Sequence, residues 1–282
     1  MTLATLTEVL DPAARAGSGV GAFNVIQLEH AEAFVAAAEH TGLPVILQIS
    51  ENCVRYHGAL APLGLATLEL ARRATVPVVV HLDHAERVDL VREAVQLGFT
   101  SVMYDGSTLD HDTNLARTAE VVEHCRGHGV PVEAELGEVG GKDGVHAPGA
   151  RTDPAEARRF VAATGVDALA VAVGSSHAMT SRHATLDQGL ISALRDAVPV
   201  PLVLHGSSGV PDGGLAAAVR AGITKVNIAT HLNVVFTAAV RVRLGQDGTV
   251  DPRKYLAPGR DAASAEAARL LTLLHSLNDH VK

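Results

Sequence analysis

The chain has 282 residues, a length that suits either two small domains or one large α/β barrel. Hydrophobic residues make up 47% and charged residues 19%, enough apolar matter for a sizeable core and too much for a disordered chain. A formal charge of −8, 3% aromatic residues and no tryptophan argue against a phosphate-backbone binder or a stacking surface for single strands, so no nucleic-acid partner is expected. Cys53 and Cys125 lack metal-ligand spacing and are too few for a disulfide framework, so both are expected to be reduced structural thiols. The segment from Met1 to Ala16 interrupts its apolar residues with Glu8, Asp11 and Arg15. It is expected to be neither a signal peptide nor a membrane span, which points to a cytoplasmic protein.

Short β-branched apolar runs alternate with longer segments of helical period along the chain. In order, the runs are Val20 to Val25, Pro44 to Ser50, Val76 to Leu82, Thr100 to Tyr104, Pro131 to Leu136, Ala168 to Val173, Pro201 to Leu204 and Thr224 to Ile228. Between them lie crossover helices such as Glu29 to Thr41, Val88 to Leu97, Leu115 to Arg126, Pro154 to Thr164 and Gly213 to Ala221, with Gly42, Gly98, Gly165 and Gly222 as stop signals. Eight parallel strands separated by helices predict a single (β/α)8 TIM barrel spanning residues 1–282. A doubly wound open sheet is the competing architecture, but no Gly-x-Gly-x-x-Gly follows the first run. The longest connection, Gly137 to Asp153, has the length of a functional loop. A C-terminal helical extension from about residue 246 includes the amphipathic stretch Ala262 to Leu277, expected to dock outside the barrel or against a partner subunit. A homo-oligomer, dimer or tetramer, is the expected assembly.

Barrel enzymes draw their chemistry from the C-terminal ends of strands. Here the third run ends His81-Leu82-Asp83-His84 and the fourth ends Tyr104-Asp105-Gly106-Ser107. The fifth holds Glu133 and Glu135, and the sixth leads into Gly174-Ser175-Ser176-His177. The last two end in His205-Gly206-Ser207-Ser208-Gly209 and Asn227-Ile228-Ala229-Thr230. With 15 histidines in the chain, any single strand-end histidine is an ordinary solvated residue more often than a ligand. His84, His177 and His205 nevertheless share one end of the barrel, and three histidines leave a fourth position open, as catalytic zinc requires. Asp83, beside His84, is placed to exchange a proton with a substrate hydroxyl. His81 is expected either to face away from Asp83 or to sit one layer down, as a structural residue. Glycine and serine at 206–208 and the segment 227–230 fall where barrels bind phosphate with backbone N–H groups and a helix N-terminus.

With Ala22-Phe23-Asn24, Val132-Glu133-Ala134-Glu135-Leu136-Gly137, Lys225 to Thr230 and Asp251-Pro252-Arg253-Lys254-Tyr255, these motifs resemble the class II, zinc-dependent ketose-bisphosphate aldolases over nearly the whole chain. The resemblance implies a lyase using Zn2+ held by His84, His177 and His205, with Asp83 moving the C4 hydroxyl proton. It implies that Glu135 and Asp105 approach a second or displaced metal position. It also assigns the dihydroxyacetone-phosphate end to Gly206, Ser207, Ser208, Asn227, Ile228, Ala229 and Thr230, with Asn24 and Ala178 as further substrate-binding residues. Backbone oxygens near Ala178, Gly206 and Ser208 would hold a monovalent cation, Na+ or K+.

Two positions depart from the family. Ala178 replaces the glycine that usually follows the histidine, and Lys142-Asp143-Gly144 stands where the family offers one or two loop acids, often Glu. Asp143 is the first choice for the acid handling the C3 proton and Glu138 the second. The expected reaction is reversible cleavage of a phosphorylated ketose, with fructose 1,6-bisphosphate leading and tagatose bisphosphate or a deoxy-keto-gluconate phosphate as alternatives. A zinc hydrolase on the same barrel would want His-x-His on the first strand, which instead ends Phe23-Asn24-Val25. A catalytically inactive binding barrel is the remaining rival.

Overall fold

The computed structural model describes residues 2–136, 151–175 and 182–275. Eight parallel strands close into a barrel in sequence order: β1 Val20–Asn24, β2 Val45–Ser50, β3 Val78–Ala85, β4 Ser101–Tyr104, β5 Val132–Glu135, β6 Ala168–Ala170, β7 Leu202–Leu204 and β8 Ile223–Ile228. The helices are α1 Leu6–Ala16, α2 Leu28–Thr41, α3 Glu51–His57, α4 Ala61–Arg73, α5 Val88–Leu97, α6 His111–Arg126, α7 Pro154–Thr164, α8 Gln188–Ala197, α9 Asp212–Ala221, α10 Thr230–Leu244 and α11 Pro252–His275. All eight expected strands are present. The third runs three residues further than expected, to Ala85, and the sixth stops three residues earlier, at Ala170. No helix among the described residues is long and apolar enough to cross a membrane.

Strand register sorts the barrel interior into layers. Ala22 pairs with Ile46 and Asn227, Ile46 with Val79, and Ala170 with Val203, so these residues share one parity and face inward together. Ile46, Val79, Ala168 and Val203 form the apolar floor, and α1 plugs it from below with Leu6, Val9, Leu10 and Ala13. Thr5 closes a capping box with Glu8 at the start of that plug. One turn of pleat higher the same faces carry His81, Ser101, Glu133 and Lys225, and above them Gln48, Asp83, Glu135, His205 and Asn227, nearly all fully buried. The opposite parity, including Leu47, Leu82, Leu169 and Val226, packs under the helices in a second core.

His81 and Asp83 are two residues apart and therefore point the same way. Of the two expectations for His81, facing away is corrected: its ring lies inside the barrel, one layer below Asp83, with Nδ1 2.7 Å from Ser101 Oγ. The terminal helix α11 packs along α2 and α10 on the barrel's outside.

Candidate active site

Asp83 and His84 are neighbours in sequence, so a regular strand would turn them to opposite faces. The pairing of β3 with β4 shifts register between Leu82 and Ala85, and His84 takes a φ of +48°, the one positive φ on a non-glycine among the described residues. This irregularity brings both side chains to the barrel mouth. One nitrogen or oxygen from each of Asp83, His84 and His205 falls within 4.8 Å of the others, and the same holds for His84, Asp105 and Glu135. The His84 and His205 rings meet edge to face at 4.6 Å between centroids. Of the expected metal residues, four of five thus converge. His177 lies outside the described residues, as do Asp143, Glu138 and Ala178.

Each imidazole spends one nitrogen on a carboxylate. His84 Nδ1 is 2.7 Å from Asp105 Oδ2, and Asp105 Oδ1 accepts hydrogen bonds from the Ser107 backbone N–H and hydroxyl. His205 Nε2 is 2.9 Å from Glu133 Oε1, whose other oxygen receives the Lys225 ammonium at 2.6 Å. A carboxylate behind a histidine fixes its tautomer and ring orientation, the arrangement that metal-binding histidines use.

The electrostatics fit a cation. Burial alone would push the His84 imidazole down, but the Asp83 charge, the Asp105 hydrogen bond and charge, and Glu135 together raise it to about 10. Burial likewise opposes ionisation of Asp105, yet the His84 and Ser107 hydrogen bonds hold it below the usual carboxylate range. Burial and the Lys225 charge push His81 down to about 3, and burial lowers His205. Asp83 Oδ1 is buried without a hydrogen-bond partner, while Oδ2 accepts from Asn24 Nδ2 and Gln48 Nε2, each at 3.4 Å. Histidine nitrogens with carboxylate oxygens around an unpartnered anionic atom are a donor set suited to zinc or a similar divalent ion.

Beside this cluster lies an open cavity of about 160 Å3. One wall is the turn after β7, where Gly206 has φ 64° and leads into a short 3-10 turn, Ser207–Gly209. Ala229 and Thr230, at the start of α10, also line the cavity, and Ala229 makes no side-chain capping bond to the helix. Ser207 Oγ donates to Asn227 O, and Ser208 Oγ accepts from His231 N at 3.3 Å, tying the turn to β8 and α10. Asn24, Gly206, Ser207, Ser208, Asn227, Ala229 and Thr230 all line the cavity. Ile228 does not: strand alternation sends its side chain into the core beneath the helices.

Gln48, Ser50 and Asn52 also line the cavity. Sequence reasoning passed over them because they belong to no strand-end cluster of histidines or acids. The available signal was parity: Ser50 pairs with Asp83 and Gln48 with His81, so a correct register would have found both. Lys225 carried a similar signal as a lone charge inside an apolar strand.

A family model described as Fructose-bisphosphate aldolase class-II matches residues 4–279. The fructose-bisphosphate aldolase of Geobacillus stearothermophilus is 41% identical over 270 residues, 94% of each chain. That of Thermus caldophilus is 40% identical over 304 residues, covering 98% of this chain and 99% of its own. Among solved structures, the YdjI aldolase from Escherichia coli K12 superposes with a TM-score of 0.86 at 32% identity over 98% of both chains.

Proposed function

Because the chain belongs to the class II fructose-bisphosphate aldolase family, we propose that it catalyses zinc-dependent, reversible cleavage of a phosphorylated ketose, fructose 1,6-bisphosphate first, into dihydroxyacetone phosphate and an aldehyde. The observation that carries this reading is one cavity lined both by Asp83 and His84 of the histidine–carboxylate cluster and by the Gly206 to Ser208 turn and the first residues of α10. His84 and His205, with His177 from the sequence, would hold the ion, and Asp105 and Glu135 stand close enough to offer it a second position. Zinc, when bound, supplies the Lewis acidity that polarises the C2 carbonyl, a task that other aldolases give to a Schiff-base lysine. No lysine lines the cavity among the described residues, and Lys225 is fully buried against Glu133.

Asp83 is the group assigned to the C4 hydroxyl. Its carboxylate takes that proton as the C3–C4 bond breaks, the electron pair stays with C3, and C4 becomes the aldehyde carbon. Asn24 and Gln48 orient the carboxylate by donating to Oδ2, which leaves Oδ1 to the substrate. Gly206 to Ser208 and Ala229 to Thr230 receive the phosphate through backbone N–H groups, with Asn227 beside them. On sequence grounds Asp143 returns the proton to C3. A monovalent cation near Gly206 and Ser208, a homo-oligomeric assembly and a cytoplasmic location complete the reading. The exposed apolar side chains Val234, Val242 and Leu244 on α10 favour the assembly.

Metal analysis with an assay of fructose 1,6-bisphosphate, tagatose 1,6-bisphosphate and a deoxy-keto-gluconate phosphate tests the proposal. About one catalytic zinc per chain is expected, activity lost to chelators, and the highest kcat/KM on fructose 1,6-bisphosphate. Full activity in metal-free protein refutes it.

A further inference from the structure

The left-handed turn at His84 needs something to hold it. β2 stops pairing with β3 at Ser50, opposite Asp83, so beyond that point no strand carbonyl on the β2 side can receive the N–H groups of the chain leaving β3. The next residue after Ser50 fills that place with its side chain. Glu51 Oε2 accepts from the backbone N–H of Glu86 at 2.9 Å and of Arg87 at 3.4 Å, while Oε1 accepts from Arg55 Nη1 at 3.1 Å. Glu51 is only 4% exposed although it opens a helix on the rim of the barrel. On the opposite flank the Asp105 backbone N–H donates to Ala85 O at 2.8 Å. The turn that reverses His84 is therefore clamped from both neighbouring strands, and Glu51 is the clamp that is not itself within the histidine–carboxylate cluster.

We propose that Glu51 is a positioning residue for the metal site: by capturing the Glu86 and Arg87 N–H groups it holds the left-handed β3 exit that turns His84 toward Asp83 and His205. This rests on His84 being a ligand of the ion. A buried side-chain acceptor that replaces a missing strand partner works by reach, because its oxygen must arrive at two fixed N–H groups. A carboxylate that only favoured the α3 N-terminus would work by charge. Substitutions separate the two. Glu51→Gln keeps the reach and one acceptor oxygen but loses the charge, whereas Glu51→Asp keeps the charge and falls short by one methylene.

The experiment measures the zinc dissociation constant of the full chain by chelator competition, and the exchange rates of the Glu86 and Arg87 amides, for wild type, Glu51→Ala, Glu51→Gln, Glu51→Asp and Arg55→Ala. Glu51→Ala and Glu51→Asp should weaken zinc binding about 10- to 100-fold, the scale of a lost orienting partner, and speed exchange at both amides. Glu51→Gln should stay close to wild type in both readouts, and Arg55→Ala should match it. Zinc affinity unchanged in Glu51→Ala or Glu51→Asp despite faster amide exchange overturns the positioning role. So does the reverse order, with Asp tolerated and Gln not. His84→Ala serves as the reference: if it leaves zinc affinity intact, the metal assignment fails and takes the positioning role with it. A collapse in His84→Ala beside normal affinity in Glu51→Ala refutes the positioning role alone.

Discussion

Glu133 makes the sharpest quantitative demand on the barrel. It has no exposed surface, lies 2.6 Å from Lys225 and 2.9 Å from His205, and both partners are equally buried. Glu133→Gln would leave the Lys225 ammonium facing a neutral amide where water cannot reach. Removing one partner of a buried pair costs about 3–5 kcal/mol, and at roughly 2 °C per kcal/mol for a chain of this size the melting temperature should fall by roughly 6–10 °C. Lys225→Met strands the carboxylate instead, but His205 still holds one of its oxygens, so its cost should sit near the lower end of that range. The double variant removes both charges and should recover most of the loss. Unfolding of metal-free wild type, the two single variants and the double variant at neutral pH closes the cycle and reads the coupling directly. The gap between wild type and Glu133→Gln also has a pH signature. Despite burial, Lys225 and His205 hold the folded Glu133 carboxyl below its ordinary value of 4.5. Its contribution is therefore fully present above that value and is lost as pH falls below it. A Glu133→Gln protein within about 1 kcal/mol of wild type, or a double variant whose loss is the sum of the single losses, would refute the buried charge pair.

Asp83→Ala should keep its zinc, measured by elemental analysis, and lose turnover by about 10²- to 10⁴-fold; loss of the metal along with activity would make Asp83 an essential ligand instead of the proton carrier. His30 is buried between Phe34 and Phe236 with neither ring nitrogen hydrogen-bonded, and burial lowers it from 6.5 to about 4. Only the unfolded chain protonates between those values, so stability present above pH 6.5 is lost as pH falls toward 4, by about 3 kcal/mol in total. His30→Leu should flatten that stretch of the stability–pH curve, measured by urea unfolding, and an unaltered slope would contradict it. Gly206 has φ 64°, where a Cβ costs about 1 kcal/mol. If the phosphate sits on this turn, Gly206→Ala should raise KM for the ketose phosphate by about fivefold with a smaller change in kcat; an unchanged KM in steady-state assays would move the phosphate elsewhere.

Local pattern was enough for the architecture and for the inventory of reactive groups. Eight β-branched runs separated by helical segments permit few parallel-sheet arrangements, and each run ends at the residues that cap a barrel mouth. Asp83, His84, Asp105, Glu135, His205 and the 206–208 turn were all legible from that rule alone, since chemistry at a strand's C-terminal end depends on where the run stops. Register was not legible, because it is set by how all eight strands tilt and stagger on closure. Without it, Gln48 and Ser50 looked like ordinary strand polar residues, and His81 could be turned either way. The Glu133–Lys225 pair spans 92 positions in sequence, so no local window could reveal that one charge answers the other. The convergence of Asp83 and His84 at the barrel mouth contradicts strand alternation and required a register shift and a left-handed residue, held by a glutamate from the neighbouring strand's end. Sequence determines which groups are available and at which end of the barrel. Closure of the sheet decides which of them share a face, because side-chain direction there depends on contacts between residues that are far apart along the chain.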